Sequence, residues 1–171
     1  MSPPWSTPLD IDRLADGGAD IDFAVPLAEL PRLRSQLASV GGEVKGRVHF
    51  ARDSGFVVAE MNLSGEAKLV CQRCLEAMTE PVNSSVRVAL ITAESDAGRV
   101  PEHLEPVLAA GGRITVGELV EEELLLALPI VPLHGESSDC AARNAERAET
   151  APEPAQSRQK PFAQLDKLLK R

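Results

Sequence analysis

At 171 residues the chain is long enough for one domain with tails, and a chain of that size buries roughly two thirds of its unfolded surface, so no staple is needed merely to fold. A formal net charge of −8 excludes a protein coated with phosphate-binding side chains, because nucleic-acid affinity rests largely on Lys and Arg displacing counterions. An odd number of cysteines, no apolar run of membrane-spanning length and no apolar leader point to a soluble cytoplasmic protein with reduced thiols.

Residues 1–9 carry Pro3, Pro4 and Pro8 and read as a loose leader from which Trp5 docks elsewhere. Residues 20–25 set Ile21, Phe23 and Val25 against Asp20, Asp22 and Ala24, the two-residue period of a half-buried strand. Leu27, Leu30, Leu33, Leu37 and Val40 then recur at helical intervals before Gly41 and Gly42, which predicts a short helix, although Pro31 suits a first turn better than an interior. Val44, Gly46, Val48 and Phe50 form the buried phase of the next strand. After the turn residues Asp53, Ser54 and Gly55, the sites Val57, Ala59, Met61 and Leu63 continue an antiparallel meander toward Cys71.

Val82, Val86, Val88 and Leu90 mark a further strand beyond the cysteines. Residues 93–112, with Pro101, Pro106, Gly111 and Gly112, read as a long loop. Thr115 and Glu118 have capping-box spacing, and Val116, Leu119, Val120, Leu124 and Leu128 make the apolar stripe of a helix stopped by Pro129, with Glu121, Glu122 and Glu123 expected to face water. Residues 1–140 are therefore expected to form a single domain, 141–158 a flexible linker, and 159–171 a basic amphipathic tail built on Phe162, Leu165 and Leu168. The expected fold class is α+β: an antiparallel sheet of about four to six strands, open or barrel-like, covered by one long amphipathic helix and preceded by a shorter one.

All three cysteines and one histidine fall in two short clusters, Cys71 and Cys74 in a Cys-x-x-Cys turn and His134 with Cys140 downstream. Three thiolates and an imidazole are the donor set of a closed structural zinc site, and Arg73 inside the turn would offset the residual negative charge. Metal-free thiols packed beside a turn are the plainer reading. A thioredoxin-like pair should precede a helix in a β-α-β unit, which the strand pattern here does not supply. A zinc deaminase needs His-x-Glu ahead of Pro-Cys-x-x-Cys, whereas His103-Leu104-Glu105 follows the cysteines and Val70 stands in place of the proline. The glycine pairs lack the context of phosphate loops.

The same residues carry a family resemblance. Cys71-Gln72-Arg73-Cys74-Leu75, the run from Glu121 to Pro129 leading to Pro132-Leu133-His134, Cys140, and the terminal Pro161-Phe162-Ala163-Gln164-Leu165 resemble, in that order, the YceD-type large ribosomal RNA subunit accumulation proteins of bacteria. The resemblance extends over nearly the whole chain. It implies a small, cytoplasmic, non-enzymatic ribosome-biogenesis factor needed for accumulation of large-subunit (23S) ribosomal RNA.

If RNA is bound, charge indicates where. Residues 42–92 are neutral and 157–171 basic, whereas 93–156 are strongly acidic and suited to a basic ribosomal protein. Lys45, Arg47, Lys68, Arg73 and Arg87 are the candidate RNA-binding residues, most of them on one strand face with His49. No aromatic side chain among them could stack a base, which leaves backbone or shape contact. A zinc-stabilised protein–protein adaptor without RNA contact is the alternative reading of the same residues.

Overall fold

Two-residue alternation of apolar and polar side chains dominates the middle of the chain, and strand is accordingly its main secondary structure. The computed structural model describes residues 3–135 and Cys140. In chain order the elements are β1 (Leu9–Asp10), α1 (Ile11–Asp16), β2 (Asp20–Pro26), β3 (Leu37–Ser39), β4 (Glu43–Asp53), β5 (Phe56–Val70), β6 (Ala77–Ile91), β7 (Glu105–Leu108), β8 (Arg113–Ile114) and α2 (Val116–Ala127). The expected linker 141–158 and tail 159–171 lie outside the described residues.

The main sheet has the order β2-β4-β5-β6-β7, with β3 pairing β5 beyond the start of β4, while β1 and β8 pair separately. Its centre is the long β5–β6 hairpin, in register from Val57 opposite Leu90 to Val70 opposite Ala77. One face is the core. Val25, Val44, Val48 and Phe50 are fully enclosed, and burying Phe50 alone contributes roughly 2–3 kcal/mol. The other face is polar over most of its area, apart from a small cluster of Val58, Ala89 and Leu104 at one end.

The structure corrects the expected α+β class in four respects. The sheet is open, with β2 and β7 at its ends, so it is not a barrel. Pairing is not wholly antiparallel, because β7 runs parallel to β6, with Val88 opposite Glu105. The helix over the core is short: α2 has 12 residues, about 18 Å at 1.5 Å per residue, against roughly 50 Å for a strand of β5's 15 residues. It packs on β6 and β2, while α1 lies over β4 and β5. No single long helix covers the sheet.

The fourth correction concerns the leucines before Gly41. Leu27, Leu30 and Leu33 are buried, but the backbone is 3-10 at Leu27–Glu29 and at Arg34–Gln36, followed by β3, instead of a short α-helix. A repeat of three suits the 3-10 period, and Pro31 lacks the amide proton that an α-helix would use. The Arg32 and Leu33 N–H groups donate instead to Glu121 Oε1 on α2, at 2.7 and 3.3 Å. Glu121 is therefore buried, not solvent-facing, because it supplies the acceptor that the interrupted helix lacks.

α2 begins with the capping box read from the sequence: the Thr115 hydroxyl accepts from Glu118 N–H at 3.0 Å, and Glu118 accepts from Thr115 N–H at 2.7 Å. Trp5 lies against Gly117 in the first turn, where a side chain on Gly117 would meet its ring at 3.2 Å. Among the described residues no helix is long and apolar enough to cross a membrane.

Candidate metal centre and sheet surface

Cys71 directly follows β5, and residues 71–76 form the loop that returns as β6. The Cys71 N–H donates to the Glu76 carbonyl at 2.9 Å, and the Leu75 N–H donates to the Cys71 carbonyl at 2.8 Å. Leu75 completes the turn at a φ of 62°, a left-handed conformation that glycine adopts with less strain. At the base of the loop, Leu69 pairs with Leu37 of β3 on one side and Met78 of β6 on the other. Strands on both flanks thus hold the turn in place.

The segment after α2 comes back to this loop. Gln72 donates its N–H to the Pro132 carbonyl at 2.9 Å and its side-chain amide to the Ile130 carbonyl at 3.4 Å. These bonds carry His134 to the cysteines: its N–H donates to Cys71 Sγ at 3.3 Å, and its Nδ1 lies 3.3 Å from Cys74 Sγ. One ligand atom from each of Cys71, Cys74, His134 and Cys140 lies within 4.8 Å of the others, and all three cysteines are buried. Such a cluster is able to hold a metal ion.

The donor set fits zinc. Sulfur–zinc distances of about 2.3 Å give tetrahedral sulfur–sulfur edges of about 3.8 Å, so the four atoms need to draw in by only about 1 Å. Zinc also requires thiolate, and the loop favours it. Burial pushes the Cys71 thiol up, but the N–H groups of Cys74, His134 and Arg73, with the His134 ring, outweigh this and bring it down to about 5. Four protein donors leave no open coordination position, the condition for a structural site.

Alternation along β2, β4, β5 and β6 places Lys45, Arg47, Lys68 and Arg87 on the polar face of the sheet, and Arg73 lies in the cysteine loop. Three of these five cations are already engaged. Arg47 makes a two-pronged contact with Asp22 at 2.6 and 3.0 Å, Lys45 meets Glu43 at 2.7 Å, and Arg87 bridges Asp53 and Glu60, each at 2.7 Å. Arg47 and Arg87 are accordingly shifted upward by their carboxylate partners, and the Arg47 guanidinium holds the Asp22 carboxyl below its usual range. Among the described residues, Lys68 and Arg73 form no ion pair. Both lie at the cysteine end of the hairpin.

A family model described as large ribosomal RNA subunit accumulation protein YceD matches residues 59–169. The chain belongs to the YceD family. It is 29% identical over 166 residues to the large ribosomal RNA subunit accumulation protein YceD of Haemophilus influenzae, an alignment covering 94% of this chain and 95% of that one. No solved structure matches it. The YceD match begins inside β5 and includes all four clustered donors.

The roles of two contributors to the geometry of the cluster had no signal in the sequence. Gln72 was only a spacer between cysteines, and the Pro132 carbonyl is a backbone group that any residue could supply. Their bond bridges chain positions 60 apart, and a residue pattern does not encode such a partner.

Proposed function

We propose that this YceD-family chain is a cytoplasmic, non-enzymatic ribosome-biogenesis factor required for accumulation of large-subunit (23S) ribosomal RNA, and that it acts by binding that RNA or its precursor. Zinc held by Cys71, Cys74, His134 and Cys140 would stiffen the end of the β5–β6 hairpin. The observation that carries this reading is the family match over residues 59–169, within which the donor cluster falls. Closed four-donor coordination favours a structural over a catalytic ion.

RNA contact is best supported at the cysteine corner. Lys68 and Arg73 are the two candidate cations without a carboxylate partner among the described residues, so they can displace counterions from phosphate without first breaking an ion pair. The test is crosslinking of purified protein to a large-subunit RNA transcript at several salt concentrations, against a charge-matched control protein. Crosslinking above the control that falls in a Lys68→Ala/Arg73→Ala variant supports RNA binding. Equal crosslinking of protein and control overturns it.

The second reading, a zinc-stabilised adaptor without RNA contact, draws on the pairing of Lys45, Arg47 and Arg87 with carboxylates across the polar face. Under it, metal content is retained while crosslinking stays at the control level.

A further inference from the structure

Between α2 and the β6–β7 end of the sheet lies a groove of about 510 Å³. Met61, Val86, Val88, Val107 and Leu119 supply its apolar lining, and Leu126 and Leu108 stand at its mouth, 70% and 45% exposed. Around these side chains are five carboxylates, Glu105, Glu118, Glu121, Glu122 and Glu123, against a single guanidinium, Arg32, which is itself paired with Glu122. Apolar lining and excess negative charge occupy the same opening.

That combination restricts the occupant. Phosphate or RNA would be repelled by the carboxylates, and a purely apolar solute would leave their excess of negative charge over Arg32 without a counter-charge, although Glu118, Glu121, Glu122 and Glu123 each have a hydrogen-bond partner. Both features are satisfied by a peptide whose aliphatic side chains fill the lining while Lys or Arg stems reach accessible carboxylates, Glu105, Glu122 and Glu123. The volume lies within the roughly 300–1,000 Å³ range of pockets that enclose small ligands, room enough for aliphatic side chains. Pro106 removes an amide donor from β7, the end strand beside the groove, so side-chain insertion is favoured over addition of a further strand.

We propose that this groove docks a basic amphipathic segment of a protein partner. The site lies apart from the cysteine corner and does not depend on RNA binding there. It assigns a location to the acidic character of the later half of the chain.

The experiment uses the full chain and a fluorescein-labelled helical peptide of leucine and lysine, followed by anisotropy at low and moderate salt. Two control peptides replace every leucine by serine or every lysine by glutamate. Leu126→Lys and Glu105→Lys are the test substitutions, because both side chains are exposed and neither supports the core; circular dichroism checks that the double variant folds. Saturable one-to-one binding of the leucine–lysine peptide, at least tenfold weaker for the double variant and for both controls, is the expected result. Equal binding by wild type and variant, or by the serine control, overturns the proposal. So does a dimer that the substitutions dissociate, since the groove would then belong to a second copy of the chain.

Discussion

His134 Nδ1 lies 3.3 Å from Cys74 Sγ although 60 positions separate the two residues in the chain. Nothing local enforces this approach: it follows from the Gln72 bonds to Pro132 and Ile130, which fasten the segment after α2 to the tip of the β5–β6 hairpin. A bound ion would therefore cross-link two distant parts of the chain.

Freshly purified protein should hold about one equivalent of zinc by elemental analysis. Cys74→Ser or Cys140→Ser should abolish stoichiometric binding, and Gln72→Ala, which removes only the side-chain bond to Ile130, should weaken zinc roughly tenfold as an outer-shell change. Chelation should lower the melting temperature and speed hydrogen exchange at Gln72 and Leu75 before that of the β4–β5 ladder. Unchanged zinc content in both cysteine variants would refute the cluster as a metal site.

The cations of the polar face should separate into two groups in RNA binding. Lys68→Ala and Arg73→Ala are each expected to reduce the slope of log affinity against log salt by about 1. Lys45→Ala and Arg47→Ala should change it less, because their charges are already neutralised by Glu43 and Asp22. Filter-binding titrations across salt concentrations with a large-subunit RNA transcript make the comparison.

Glu121 is expected to be the most sensitive carboxylate of α2. Glu121→Leu leaves the Arg32 and Leu33 N–H groups without their acceptor inside the protein and should cost about 2–3 kcal/mol in urea unfolding. Glu121→Gln keeps an acceptor oxygen and should cost about half as much. Glu122→Gln, which disturbs only an exposed pair with Arg32, should remain within about 1 kcal/mol of wild type.

Gly46 has no room for a side chain. A Cβ there would sit 2.0 Å from the Asn62 carbonyl oxygen and 2.7 Å from the Phe23 ring, so Gly46→Ala must push β4 away from β5. A loss of about 1–3 kcal/mol in chemical denaturation is expected, larger than for Gly98→Ala, where a Cβ meets nothing within 4 Å.

Trp5 is the sole tryptophan of the chain, and its ring rests on Gly117. Gly117→Val should expel it, shifting the intrinsic fluorescence maximum to longer wavelength with a modest fall in stability. An unshifted spectrum in this variant would mean that the N-terminal segment is not packed on α2 in solution.

Much of the β structure was legible because strand alternation is a local signal: β4, β5 and β6 bury alternate side chains over most of their length, apart from the runs Val57–Ala59 and Val88–Ile91 where both faces are covered. The capping box at Thr115 was legible for the same reason, since both partners lie within one turn. The leucines from Leu27 to Leu33 misled because a spacing of three serves a 3-10 turn as well as an amphipathic α-helix, and Pro31 decided between them through a missing proton. The parallel entry of β7 was hidden within residues read as a loop: four residues with Pro106 among them carry too little periodicity to mark a strand.

By itself, the order of residues determined the chemistry available: three thiols and an imidazole in two clusters, alternating strands, and an acidic later half. Only the tertiary structure decided which of these groups meet. Glu121 became a buried acceptor, and Arg47 and Arg87 became partners of carboxylates on neighbouring strands. Periodicity is a short-range property written in consecutive side chains, whereas the pairing of polar groups depends on which distant segment must satisfy an amide or a charge once water has been excluded.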